Sequence, residues 1–318
     1  MDRADPASRH ALHASGCDWP EKNCYIDLWI SVLHSLGMEP LALLGHTVAV
    51  DFAGDQWTFY KPNAWELREL YGIDVQEMSV WRPLLDHALE HLAAGRLIAA
   101  EVDAWWLPDT EATDYRRKHT KTTILLADID TEAQRLGYFH NAGYFELEGE
   151  DWRRTLGIEG ERELPLFAEL VRIDRRATYP PRELAERAVE LLAHHMRWRP
   201  QRNPFEAFAP RLADELMQMR ERGLGYYHQW AFVALRQAGS AFELAAAHAE
   251  WLARQGHDCA DAARSFRDIS AGCKSLILKG ARAAATGRVG DTKAPVDAMA
   301  QAWTQGMRSL ETAVLQAA

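Results

Sequence analysis

Residues 119–147, HTKTTILLADIDTEAQRLGYFHNAGYFEL, decide the fold class. Two runs dense in Thr, Ile, Leu, Tyr and Phe flank the turn-like DTEAQR, and such runs on either side of a turn read as an antiparallel hairpin. Upstream, RLIAAEVDAWWLP (96–108) reads as one more strand, stopped by Pro108. HTVAVDF and QWTFYKP, joined by AGD, predict a smaller hairpin over His46–Pro62.

Two helical patterns accompany these strands. Ile26, Trp29, Ile30, Leu33 and Leu36 recur at helical spacing up to Gly37, which places Cys24 in the first turn. Leu84, Leu85, Ala88 and Leu92 form a second stripe, closed by Gly95. From about residue 163 the texture turns Ala- and Leu-rich and β-poor. PLFAELVRI and the five longer segments that follow it predict a helical bundle. The expected architecture is α+β: a loose tail over 1–15, a mixed domain over 16–160, and an all-helical domain over 161–318.

Composition narrows the function classes. With 36 Lys and Arg against 46 Asp and Glu, the net charge of −10 disfavours a general nucleic-acid binder, because phosphate contacts need a basic face. No apolar run reaches the length of a membrane span. Four cysteines, Cys17, Cys24, Cys259 and Cys273, show neither C-x-x-C nor zinc-ribbon spacing, and no charged-then-apolar leader is read at the N-terminus. A reduced, cytoplasmic protein is expected.

Cys24 is the first residue with a chemical question attached. The free N–H groups and positive dipole end at a helix start favour a thiolate, yet free cysteine is also among the most buried residue types. A nucleophilic thiol needs a base, and the base needs an orienting partner. His119 heads the first strand of the larger hairpin, and Asn141 lies on its return. YRRKHTK sets Arg116, Arg117, Lys118 and Lys121 around that histidine, a basic cluster in an acidic chain. Its plain reading is a solvated loop; its functional one is a rim that steers an acidic partner. The aromatic stretches DQWTFY and DAWWL, with Trp57 and Asp103, read either as core or as the lining of a cleft in which Asp103 meets an amine.

Other groups carry less. His87 and His91 share a helix face without a third ligand at matching spacing, so no metal is expected. His194 and His195 point in different directions, GRVGD near residue 287 lacks the lysine of a phosphate loop, and Arg197, Arg199 and Arg202 suit a helix C-terminus.

NCY opening a helix, EVDAWWLPDT on a strand, a histidine at the head of the next strand and YFHN on its return resemble the papain-like cysteine acyltransferases typified by the N-terminal domain of butirosin biosynthesis protein H. That group is similar to the bacteriocin-processing cysteine peptidases, and the resemblance spans about residues 16–150. The wider run of motifs also looks like an uncharacterised bacterial family associated with carrier-protein and nonribosomal-peptide-type pathways. The resemblance implies Cys24 as nucleophile, His119 as base and acid, and Asn141 as orienter of the imidazole; beside it, Asp103, Trp57, Tyr115 and His140 are expected near the substrate. Asp18 stands where the papain pattern has an oxyanion-hole glutamine, and His140 adjoins Asn141, so either of the latter two faces the site.

The implied reaction is transfer of an acyl or aminoacyl group from the phosphopantetheine thioester of a carrier protein, through Cys24, to a small amine. No cofactor is held tightly. Hydrolysis by the same triad is the first alternative. A non-catalytic binding or scaffold protein, with Cys24 in its core and the helical half mediating association, is the second; under any of these readings the helical half serves as a lid, a docking surface or the interface of a homodimer.

Overall fold

The first long helix begins where Asn23 caps it: Asn23 Oδ1 accepts from the N–H groups of Tyr25 and Ile26 at 3.1 and 3.0 Å, which makes Cys24 the first helical residue. A computed structural model describes residues 8–160, 162–286 and 290–317. In chain order they form α1 (Cys24–Ser35), β1 (Phe52–Ala53), β2 (Gln56–Trp57), α2 (Ala64–Tyr71), β3 (Asp74–Glu77), α3 (Leu84–Ala93), β4 (Leu97–Asp103), β5 (Lys121–Asp130), β6 (Arg135–His140), β7 (Gly143–Glu148), α4 (Gly149–Thr155) and β8 (Phe167–Arg172). Helices α5 (Pro181–Arg197), α6 (Pro204–Ala231), α7 (Gln237–Arg254), α8 (Ala260–Thr286) and α9 (Lys293–Ala317) follow. The fold class is α+β, as the sequence predicts.

The chain divides into two units. The first takes residues 1–14, 23–40 and 63–178. Its six-stranded sheet runs β3-β8-β4-β5-β6-β7, and every neighbouring pair is antiparallel. Strand alternation gives each face its own cover. Ile98, Ala100 and Val102 of β4, Ile124 and Leu126 of β5 and Tyr138 of β6 join Leu84 and Ala88 of α3, Trp152 of α4 and Leu156 just after it in one buried core. Helix α1 lies across β5, β6 and β7. Tyr25 in its first turn donates its hydroxyl to Glu169 of β8 at 3.1 Å. Glu169 pairs with Ala99, so α1 covers the face to which Ala99, Glu101 and Asp103 point.

The second unit takes residues 15–22, 41–62 and 179–318. It is helical apart from the two-residue ladder of β1 and β2. Helix α7 is buried almost all round, from Ala238 to Leu252, as a central bundle helix must be. Gly239 permits close packing there, because a Cβ would overlap the Trp19 ring and Cys273.

Several expectations are corrected. PLFAELVRI is not a helix; it contributes β8, paired on both sides by β3 and β4. A central strand covered on both faces loses the alternation that separates short strands from helices. The boundary therefore falls near 178, not 160. The larger hairpin is a three-stranded meander, since GYFELE returns as β7. The first arm of the smaller hairpin is a 3-10 run over Pro40–Ala49, where Thr47 Oγ1 and His46 Nδ1 each bond a carbonyl three residues back, at 2.7 and 2.9 Å. Of the expected tail, residues 1–7 lie outside the described residues. His13 is buried and bonds Asp27 of α1 at 3.1 Å. Part of the GRVGD linker, 287–289, also lies outside them.

Candidate active site

Strand β4 ends at Asp103, which pairs across the sheet with Lys121 at the start of β5. This register brings His119, two residues before β5, against the Asp103 side chain. His119 Nδ1 donates to Asp103 Oδ2 at 2.5 Å, and Oδ1 accepts from the N–H groups of Trp105 and Thr120 at 3.0 and 3.3 Å. The carboxylate is thus held by backbone on one oxygen and holds the imidazole with the other. The Trp105 indole stacks on the His119 ring, centroids 4.5 Å apart and 7° from parallel. With Nδ1–H engaged, the neutral imidazole presents its lone pair at Nε2, and among the described residues nothing takes it. The His119 side chain is 42% exposed against 10% for Asp103. A buried carboxylate orienting a half-exposed histidine is the arrangement of a general base.

The dyad borders a cavity of about 240 Å³, whose walls include Trp105, Trp106, Arg154 and Arg162. Cys24 is half-buried at the start of α1, on the sheet face that carries Asp103, and is not among the residues lining this cavity. Among the described residues no hydrogen bond joins its Sγ to His119 or Asn141.

Asn141 does not orient His119; Asp103 does. Asn141 sits in the β6–β7 turn with φ +44°, and its carbonyl accepts from Ser31 Oγ at 3.2 Å. Ser31 is two turns along α1 from Cys24, about 10 Å at 1.5 Å per residue. The turn that carries Asn141 therefore meets the wrong part of the helix.

His140 is not a substrate contact either. It is buried, its Nδ1 donates to Asp109 at 2.5 Å, and its Nε2 lies 2.7 Å from the hydroxyl of Thr122. Tyr138 donates to the other oxygen of Asp109, also at 2.5 Å; burial and then the carboxylate push its phenol well above the usual tyrosine range. Trp57, expected near the substrate, is core of the second unit, packed on Phe52, Phe205 and Phe208. Tyr115 donates to Asp151 at 2.8 Å.

The basic rim is half neutralised. Arg116 is paired with Asp151 at 2.6 Å and Glu150 at 3.2 Å, and Lys121 with Glu101 at 2.6 Å. Arg117 and Lys118 are exposed and carry no ion pair among the described residues. His87 and His91 stack in parallel on α3, and burial lowers the pKa of both. No cluster of metal-binding side chains occurs among the described residues.

Sequence reasoning missed Asp109, Arg154 and Arg162. The signal for Asp109 was available: DAWWLPDT offers two carboxylates six residues apart, and two histidines follow on neighbouring strands.

The DUF1839 N-terminal domain matches residues 8–173, ending just beyond β8, and the DUF1839 C-terminal domain matches residues 181–312. The chain belongs to the DUF1839 family. No curated protein matches it. The DUF1839 N-terminal domain contains Cys24, the His119–Asp103 and His140–Asp109 pairs and the cavity, while the C-terminal match begins with α5. No helix among the described residues is long and apolar enough to cross a membrane.

Proposed function

We propose that this chain is a cysteine-dependent acyltransferase in which Cys24 is the nucleophile, His119 the general base and acid, and Asp103 the group that orients His119. The observation that carries the proposal is the His119–Asp103 pair at 2.5 Å, with the free Nε2 beside a cavity. Its position favours Cys24 over Cys259 and Cys273. Cys24 is half-buried at a helix N-terminus on the same sheet face, whereas burial pushes Cys259 up to about 11 and Cys273 up to about 12. Catalytic contacts are commonly loose without substrate and tighten in the bound complex.

In the first half-reaction the Cys24 thiol gives its proton to His119 Nε2, and Sγ attacks the carbonyl carbon of an acyl thioester. The new C–S bond forms, the old one breaks, and the leaving thiolate takes the proton back from His119. An amine then attacks the acyl-enzyme. As the C–N bond forms and the Cys24 C–S bond breaks, the proton lost by the amine passes through His119 to Sγ. Exchange of one thioester for another is nearly balanced in energy, so positioning and exclusion of water carry most of the task.

Following the resemblance, the donor is the phosphopantetheine thioester of an acyl or aminoacyl carrier protein. The exposed Arg117 and Lys118 offer it the charge that Arg116 and Lys121 spend within the fold. Hydrolysis by the same residues remains the second reading, favoured by the partial exposure of His119, which admits water.

The test is intact-mass analysis after mixing the protein with carrier proteins loaded with different acyl groups. One acyl adduct on Cys24, absent from Cys24→Ala, is expected. Full turnover by Cys24→Ala with a donor that acylates the wild type would end the proposal.

A further inference from the structure

Two guanidinium groups in the cavity beside His119 have no carboxylate partner among the described residues. Arg162 is half-buried, and among the described residues its one hydrogen bond is a long one, 3.4 Å, to the carbonyl of Thr155. Burial lowers its pKa. Arg154 bonds only the carbonyl of Glu159, also at 3.4 Å, and lies over the Trp106 ring at 4.7 Å. A carbonyl at the end of α4 accounts for one N–H of the five on Arg162, and a loop carbonyl for one of the five on Arg154. A buried cation is normally paired, because the desolvation cost of an unpaired one is large.

The loop between these arginines is shaped around them. Gly157 and Gly160 adopt φ of +70° and +73°. A Cβ at Gly157 would lie 2.5 Å from the Arg162 guanidinium, and one at Gly160 would fall within that of Arg154. Both glycines thus supply a turn that other residues resist and the space that the cations fill. Two positioned cations without anions, walled by indoles, form a site for an anion that is not part of this chain.

The remaining charges narrow the class. Of the cavity's carboxylates, Asp103 is engaged by His119 and Glu101 by Lys121, which leaves Glu163 without a partner among the described residues. The cavity thus offers two free cations and one free carboxylate, a match for a molecule that carries both signs. At about 240 Å³ it is smaller than a drug-sized pocket and suits one small molecule, not a peptide.

We propose that this cavity binds a free α-amino acid, its carboxylate held by Arg162 and Arg154 and its amino group on the side of Glu163 and His119. The proposal rests on the acyltransferase reading only in making that amino acid the acyl acceptor; binding itself does not require Cys24 to react.

Isothermal titration of the full-length Cys24→Ser protein tests it, with each of the twenty common amino acids, the carboxamide of any that binds, and inorganic phosphate. At least one amino acid is expected to bind saturably and its carboxamide at least tenfold more weakly. Arg162→Gln and Arg154→Gln should each weaken binding about tenfold, with Arg162→Lys, which keeps the charge, falling between. Gly157→Ala should follow Arg162→Gln, since its methyl displaces the guanidinium.

The proposal is overturned if no amino acid saturates, if the carboxamide binds equally, if phosphate alone binds more tightly than every amino acid, or if a folded Arg154→Gln or Arg162→Lys protein binds like the parent. Intact-mass detection of the Cys24 adduct in otherwise wild-type protein separates the two claims. An adduct without amino-acid binding removes the amino-acid site and leaves the transferase, and binding without an adduct removes the transferase and the acceptor role and leaves the site.

Discussion

Of the three histidine–aspartate pairs in the first unit, the two that engage Nδ1 have the same chemistry and opposite surroundings. Asp103 and Asp109, six residues apart, each receive an Nδ1–H at 2.5 Å, from His119 and His140 respectively. The His140 side chain is 1% exposed and its Nε2 is closed by Thr122, whereas the His119 side chain is 42% exposed and its Nε2 is open. Their difference teaches that a hydroxyl, an imidazole and a carboxylate in sequence do not make a catalytic group. Thr122, His140 and Asp109 satisfy one another inside the core and tie β5, β6 and the segment after β4 together. The open pair has a lone pair to lend to a substrate.

This contrast is best broken one carboxylate at a time. Asp103→Asn should lower turnover by about 10³–10⁴ by presenting the wrong imidazole tautomer, with little change in melting temperature. Single-turnover acylation and differential scanning calorimetry on the same protein measure both. Asp109→Ala should do the reverse. It strands a buried imidazole and the Tyr138 hydroxyl, and is expected to cost about 3–5 kcal/mol in denaturant unfolding. Thr122→Val leaves His140 Nε2 unpaired at nearly constant volume. It should cost about 1–3 kcal/mol, with the acylation rate unchanged in the folded fraction.

Two stacked histidines, His87 and His91, sharpen the point through pH. Burial lowers the pKa of His87 and His91 below the ordinary value of about 6.5, so the folded state favours their neutral forms. Their contribution to stability is present above that value and is lost as pH falls through the lowered folded pKa. Unfolding between pH 7 and 5 should weaken less steeply in His87→Gln/His91→Gln than in the wild type.

Much of this was legible in the sequence. Helical spacing from Ile26 to Leu36 and the Gly37 stop located α1 and put Cys24 at its head; β-rich runs around DTEAQR located β5 and β6. What failed depended on facts that one sequence does not hold. Strand β8 lies between two others and is covered on both faces, so its period is lost. The partner of His119 depends on the register of β4 against β5, and Asp103 had been read as a substrate contact because nothing in DAWWL says which residue of the next strand it will face. Arg154 and Arg162 belong to no motif that separates them from ordinary surface charge. Only Gly157 and Gly160, three residues apart in GIEG, hinted at a loop built to hold something.

The central claim is that the open pair serves Cys24. It is tested most directly by the rate of iodoacetamide alkylation at Cys24, followed by peptide mass spectrometry from pH 5 to 9 in wild type, His119→Gln and Thr122→Val. Cys259 and Cys273 serve as internal controls, because burial keeps their thiols protonated across that range. The account predicts that Cys24 in the wild type reacts at pH 6.5, that His119→Gln slows it at least about tenfold there, and that Thr122→Val leaves it unchanged. A Cys24 rate that is the same with and without the His119 imidazole would contradict it.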